Sequence, residues 1–437
     1  MRLVSLRGIK VPNSTRPASS DILTLRPLEF YNIPLKLKNI TESEPVVKIG
    51  DSVKQGTLIA EPTGNFGVKV FSPVSGKVLN ILSKINYNGE YTKHILIMND
   101  NKNEVEDLPE IESISDVTLL ERLKDSGMVD TISQMPTYLK YGFVGNRSYK
   151  QLLVLMDSTD PSSSVNECVT INKMEEVANG AKYFMNITNA SYITFIFTYR
   201  NRALAQKLKR HLEDSKKRYD YKIKFIPDKY PLDNPYMLAG LICNKNINKK
   251  FSFLDAGIAI ETAESCYNFC RAVEFNKPVI SKFVTVTGDN FVKAGNYQIL
   301  NGTSYQNLIE YVGIDSDEAS TRLIDGSIMN GIAQYNPDIS VSFMTNSVLM
   351  VKYDELTSNK EYPCISCGKC AAVCPVYLNP QALERAYLSE ENEDFLKLRA
   401  KSCIECGCCS YVCPSKRFLA QRIAAGKFYD KKNRSEK

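Results

Sequence analysis

Two stretches near the carboxyl end of this 437-residue chain carry residue types and spacing that could do chemistry: C-I-S-C-G-K-C-A-A-V-C-P from Cys364 to Pro375, and C-I-E-C-G-C-C-S-Y-V-C-P from Cys403 to Pro414. Both read C-x2-C-x2-C-x3-C-P. Three thiolates separated by two residues each can wrap one cube of iron and sulfide corner after corner, and the proline turns the chain away. In two-cluster sites of this spacing the fourth cysteine of each run ligates the cluster held mainly by the other run. The expected ligand sets are therefore Cys364, Cys367, Cys370 and Cys413 for one [4Fe–4S] cluster, and Cys403, Cys406, Cys409 and Cys374 for the other. Cys408 is an extra thiol in the second run, and the register favours Cys409 over it. Zinc and disulfides are the competing uses. Zinc knuckles pair C-x2-C units around four ligands, whereas each run here offers four cysteines in the x2-x2-x3 register and ends in Cys-Pro. A disulfide framework needs an oxidising compartment, and the amino-terminal M-R-L-V-S-L-R lacks the apolar run of a secretion signal.

These loops must be held by the segments around them. Between the runs, Leu383, Ala386, Tyr387, Phe395, Leu396 and Leu398 form apolar stripes among good helix formers, and Pro380 suits a first helical turn. Residues 356–427 are thus expected to form an α-helical double-cluster domain, followed by a polar, frayed tail at 428–437. Upstream, β-branched runs punctuated by Gly50, Gly56, Gly64, Gly67 and Gly76 predict compact β structure. The pattern resembles a barrel-sandwich hybrid (biotinyl/lipoyl-like) module over residues 1–105. Carrier domains of that fold bear their group on a lysine at a hairpin tip. The expected tip here, G-N-F-G at 64–67, has none, and the nearby Lys69 is read as part of a scaffold.

From 106 to 255, helical stretches (Val117–Leu123, Ala203–Leu212) alternate with apolar strands (Leu152–Met156, Tyr192–Phe197), predicting an α/β domain. Neither a G-x-G-x-x-G fingerprint nor a P-loop occurs. Over 256–355, two extended runs precede an amphipathic helix starting near Ser304, with Leu308, Ile309 and Val312 at helical spacing. This resembles a β-grasp domain of the soluble ligand-binding type. The expected fold class is a multidomain α/β and β chain.

Composition excludes several functions. A net charge of +6 is modest, and the one basic cluster (Lys207, Lys209, Arg210, Lys216, Lys217, Arg218) is interrupted by Glu213 and Asp214, so it reads as a solvated helix face and not a nucleic-acid site. With only His94 and His211, histidine-rich metal sites are excluded and a Ser-His-Asp triad has no supporting motif. Cys168, Cys243, Cys266 and Cys270 read as packed thiols, the last two on one helix face. No window approaches the ~18 consecutive apolar residues of a membrane span. The expected location is cytoplasmic, with peripheral docking on the cytoplasmic face of a membrane complex allowed.

The order of these pieces resembles the C-subunit family of the Rnf complex, the ion-translocating ferredoxin:NAD oxidoreductase. The likeness covers nearly the whole chain: the early β module, Lys229-Tyr230-Pro231, Pro278, V-T-V-T-G at 284–288, Gly295-Asn296-Tyr297, Gly326, Gly331, and S-C-I-E-C-G-C-C-S-Y-V-C-P-S at 402–415, where Cys408 fits the family pattern. The resemblance implies a complex I flavoprotein-like α/β domain and a role in electron transfer. Members acting on NAD carry G-[I/L]-V-G-x-G-G-A-x-F-P-T, glycines that let the backbone approach phosphate and flavin. Here Gly127 to Thr137 reads G-M-V-D-T-I-S-Q-M-P-T, with Asp130, Ile132 and Ser133 replacing three glycines and one position missing. The family's N-[G/A]-x-E-C-E-P is L-M-D-S-T-D-P at 155–161. Binding of FMN and NAD(H) is therefore expected to be weakened or lost. No residue is assigned as catalytic, and no flavin-contacting residue is named.

Three functions follow. The first is an iron–sulfur electron-transfer subunit relaying single electrons to or from partner proteins such as a ferredoxin, flavoprotein or reductase. The second is a flavin-dependent NADH:acceptor oxidoreductase feeding a partner reductase, similar to the proline reductase-associated electron-transfer protein. The third is an assembly scaffold with structural clusters.

Overall fold

The structure, a computed structural model, describes the chain except residues 1–5, 13–14, 18, 38–39, 88, 109–115, 143–148, 216–218, 244–252, 290, 315–320, 353–359 and 436–437. Part of the expected basic cluster, at 216–218, thus lies outside the described residues. The amino-terminal β module pairs Phe30–Pro34, Tyr91–Asn99, Gly76–Ile85 and Ser52–Val53 in that order, and a second sheet joins Ser43–Pro45, Leu58–Pro62 and Val70–Phe71. Every neighbouring pair is antiparallel. Alternate residues turn inward, so Tyr31, Ile33, Ile59, Val78, Ile95 and Ile97 form one core. Lys69 pairs with Asp125 at 2.8 Å, a contact to the next module.

That next module is a four-stranded parallel sheet in the order Tyr221–Ile226, Tyr192–Thr198, Gln151–Leu155, Ile258–Thr262. All five residues of Gln151–Leu155 are buried, as both faces of a parallel sheet require. On one face the helices Met174–Thr188 and Ala263–Glu274 cross so closely that a Cβ on Gly180 would lie 1.8 Å from the Cys266 carbonyl oxygen. Cys168, Cys266 and Cys270 are buried here, and Cys243 is half-buried. The sequence-based boundary at 255/256 is displaced: I-A-I-E-T and the helix after it are one more β–α repeat, and they complete this sheet.

A six-stranded mixed sheet follows, ordered Ile22–Thr24, Gly295–Leu300, Ser281–Gly288, Ser347–Lys352, Thr321–Asp325, Ile332–Gln334. It packs against the helix Tyr305–Val312, started by a capping box between Ser304 and Asn307. Its first strand comes from the amino-terminal segment, pairing Ile22 with Asn296, so residues 1–105 do not form one self-contained module.

The carboxyl region packs Pro380–Leu388, Asn392–Lys397 and Leu419–Ser435 around Leu378, Leu383, Phe395 and Ile423. Asn379 caps its helix through the Ala382 N–H, and Pro380 occupies the first turn. The expected frayed tail is corrected: the last helix continues past the expected boundary at 428 to Ser435, with no proline after Leu419 to end it. Among the described residues no helix is long and apolar enough to cross a membrane.

Candidate cluster sites and the altered nucleotide loop

The two cysteine runs share one backbone path. In each, the residue before the second cysteine (Ser366, φ 54°; Glu405, φ 55°) and the glycine after it (Gly368, φ 71°; Gly407, φ 76°) are left-handed. A short helix follows, Lys369–Val373 or Cys408–Tyr411, and beyond each Cys-Pro a third left-handed residue, Tyr377 or Lys416, turns the chain again. These reversals aim thiols and backbone donors inward. The N–H of Ser366 donates to Cys364 Sγ at 3.4 Å, that of Glu405 to Cys403 Sγ at 3.4 Å, and that of Leu378 to Cys374 Sγ at 3.3 Å.

Cys364, Cys367, Cys370 and Cys413 line one cavity, whereas Cys374, Cys403, Cys406 and Cys409, together with the extra Cys408, line another. The fold thus exchanges the fourth cysteines between the runs. The thiols ring each cavity and do not meet at a point: among the described residues no three His, Cys, Asp or Glu side chains stand close enough to hold one metal ion. Zinc would need all its sulfurs about 2.3 Å from one centre, while a cube takes one thiolate at each of four irons. This donor set fits a cube. Burial raises the Cys403 thiol to about 11 and raises Cys374 and Cys409 as well, so a cluster held here would have to displace their protons. Cys408 Sγ lies 4.0 Å from the Tyr230 carbonyl oxygen and packs with Ile9 and Met329, which makes it part of a seam between modules.

The two cavities differ in exposure. Residues 362–369 beside the first are all exposed, whereas Cys374 and Cys409 of the second are buried. The second cavity's flank is pinned to the body. Ile9 pairs with Tyr230, Arg7 donates to the Ala371 carbonyl at 3.0 Å and lies over the Tyr377 ring, and a Cβ on Gly407 would meet the Met329 carbonyl oxygen at 2.0 Å.

The loop from Gly127 to Thr137 is closed by its own side chains. Asp130 is fully buried, and its carboxylate accepts from the backbone N–H of Ile132 (3.2 Å) and Ser133 (3.0 Å) and from the Ser133 hydroxyl. Lys140 stands 3.3 Å from Asp130 and 2.7 Å from the buried Glu261, which also accepts from the Tyr141 hydroxyl. Burial opposes the Lys140 charge, but the two carboxylates outweigh it and its pKa lies above the ordinary value. Ile132 packs on the apolar group of Leu153, Leu155, Leu232 and Met237.

The second altered motif is likewise satisfied internally. Asp157 accepts from the Thr198 N–H and hydroxyl and from Asn201, and Asp233 accepts from Ser158 and Thr159. Asp160 accepts from the Ser162 N–H and the Ser327 hydroxyl. Burial raises Asp157 and Asp160 to about 6. Across this end of the sheet lies Arg16, its side chain 8% exposed, donating to the carbonyls of Asp160 (3.0 Å) and Ser158 (2.8 Å). Arg200 donates to the same Ser158 carbonyl and pairs with Asp228. Arg16, Lys140, Arg200 and Glu261 carry no motif in the sequence.

Three family profiles match in chain order: the RnfC barrel sandwich hybrid domain at residues 5–102, the Nuo51 FMN-binding domain at 124–271 and the 4Fe-4S dicluster domain at 363–416. The chain is 26% identical over 393 residues to the C subunit of the proton-translocating ferredoxin:NAD(+) oxidoreductase complex of Clostridium ljungdahlii, covering 87% of this chain and 84% of that one. It is 26% identical over 373 residues to the Na(+)-translocating counterpart of Acetobacterium woodii, covering 83% and 82%. Against the C subunit of the ion-translocating oxidoreductase complex of Vibrio cholerae it is 29% identical over 370 residues, covering 82% of this chain but only 47% of that longer protein. Among solved structures, a chain of the NAD+-reducing [NiFe]-hydrogenase in the H2-reduced state superposes with a TM-score of 0.51 at 11% identity, over 71% of this chain and 61% of that one, a likeness of fold.

The FMN-binding fold is therefore present, but the residues do not fit the flavin that its name implies. The loop donors are taken by Asp130, Ile132 packs on the apolar group of Leu153 and Leu155, and Arg16 covers the second motif. The three modules stand in the order in which the profiles match, and the chain is similar over most of its length to C subunits of ion-translocating ferredoxin:NAD(+) oxidoreductase complexes.

Proposed function

We propose that this chain is an iron–sulfur electron-transfer subunit that relays single electrons to or from partner redox proteins. The observation that carries this reading is the pair of cavities, one lined by four thiols and the other by five, on the same backbone path. Cys364, Cys367, Cys370 and Cys413 hold one [4Fe–4S] cluster, and Cys403, Cys406, Cys409 and Cys374 hold the other. Such clusters supply one-electron chemistry at potentials anywhere within roughly −700 to +450 mV. The chain's own part is to fix the sulfurs, to aim the N–H groups of Ser366, Glu405 and Leu378 at them, and to exclude water from the second site. No side chain is asked to move a proton, so none is catalytic.

Partners are other electron-transfer proteins or members of a larger complex, because the similar proteins are named as subunits of ferredoxin:NAD oxidoreductase complexes. Docking at the cytoplasmic face of such a complex is consistent with that. The β module, the α/β layer and the six-stranded mixed sheet act as the frame between the clusters and the partners. The closed loop at Gly127–Thr137 disfavours the flavin-dependent NADH oxidoreductase. To test this, the anaerobically reconstituted protein is treated with NADH and then with dithionite while its visible absorbance is followed. Dithionite should bleach it and NADH alone should not. Bleaching by NADH with bound FMN would favour the flavoenzyme, and clusters that no carrier can reduce or oxidise would favour the scaffold.

A further inference from the structure

We infer that the face around the first cysteine cavity is the docking surface for a small acidic one-electron carrier protein. This rests on the proposed electron-transfer function. Electron exchange needs a partner close to a cluster, and the two sites are not equally approachable. The second is flanked by Ile9, Tyr230 and Met329 of the body, while the first opens on a loop in which every residue from 362 to 369 is exposed.

That loop and its neighbour have the make-up of an interface. Tyr362, Ile365 and Phe418 are 57%, 67% and 49% exposed, an apolar centre for a transient contact. The Tyr362 N–H donates to the Ser415 carbonyl at 3.1 Å, which holds the two segments side by side. Around them the charge is one-sided. Lys369 lines the cavity and Lys416 follows Ser415 in its wall, both exposed and neither paired with a carboxylate among the described residues. The acids beneath, Glu361 and Glu384, are engaged by Arg417 and Arg422. Among the described residues lining this cavity the unpaired charge is thus cationic, and it offsets the anionic thiolate-held cube and complements an acidic partner. The step is the transfer of one electron: cluster and carrier change oxidation state by one in opposite senses, with no atom or proton exchanged.

The experiment mixes the dithionite-reduced, desalted holoprotein with an oxidised acidic bacterial ferredoxin in a stopped-flow instrument, with basic cytochrome c as counter-probe. The ferredoxin rate constant should fall about tenfold or more between low and high salt, as for steered encounters. A Lys369→Glu/Lys416→Glu variant with unchanged iron content and EPR signals should lower the ferredoxin rate about tenfold and raise the cytochrome c rate. If that variant loads iron poorly, Lys369→Gln/Lys416→Gln should show the same ferredoxin trend more weakly. An iron-loaded protein whose ferredoxin rate ignores both salt and these lysines overturns the docking surface but leaves the electron-transfer function standing. A protein that binds no iron overturns both.

Discussion

The cysteine loops and the loop at Gly127–Thr137 use the same device, a tight turn whose backbone N–H groups converge, and they differ in what stands at the focus. In the cysteine runs, Ser366, Glu405 and Leu378 donate to the sulfurs of Cys364, Cys403 and Cys374, and each set of thiols rings a space. In the α/β loop, Ile132 and Ser133 donate to Asp130, a side chain of the same loop, and these donors are spent within it. A fold can therefore persist after one of its sites has been filled from within, while another site on the same chain stays open to a guest.

The sharpest way to break this comparison is to remove one thiol from the open side. Cys413→Ser should abolish the cluster shared with Cys364, Cys367 and Cys370 and lower iron from about eight to about four per chain, one cube of two. Its EPR spectrum should lose the signs of cluster–cluster interaction. Unchanged iron would mean that the crossed ligand sets are wrong.

On the closed side, Lys140→Met leaves Asp130 and Glu261 buried without their cation, and urea unfolding of the α/β layer should show a loss of about 3–5 kcal/mol. A loss under 1 kcal/mol would show that the charges are not held together as described. Cys408 lies between the two regions. Cys408→Ala should keep full iron loading while lowering stability by about 1 kcal/mol, since a small packed side chain is trimmed.

The smallest effect concerns Asp160. Burial raises it to about 6, above its unfolded value near 3.9. The folded state thus binds this proton more readily, so the contribution to stability is fully present below about pH 4 and fades as pH rises through 6. Asp160→Asn mimics the protonated acid and keeps an acceptor for Ser162 and Ser327. It should exceed the wild type in urea unfolding by about 1–2 kcal/mol at pH 7.5 and match it at pH 4. The opposite order would mean that a charged Asp160 is stabilised there.

What was legible in the sequence was local. The cysteine spacing marks its candidate thiols within a dozen residues of chain, Asn379-Pro380 and Ser304 announce their helices, and L-L-V-L announces a strand buried on both faces. What was not legible depends on distant partners. Arg16 covers a motif some 140 residues away, Ile22–Thr24 joins a strand near residue 296, and Glu261 gains its role only when Lys140 is laid beside it. The replaced glycines hinted that the α/β loop had changed, but not that Asp130 would take its donors. The boundary at 255 failed because a β–α repeat resembles the start of a new domain as much as the end of an old one.

The most direct test of the open and closed sites is one anaerobic preparation assayed for iron, sulfide and FMN, with EPR of the dithionite-reduced protein. Two cubes predict about eight iron atoms per chain, interacting cluster signals and no stoichiometric flavin. About one FMN per chain, or iron and signals of a single cube, would contradict the account.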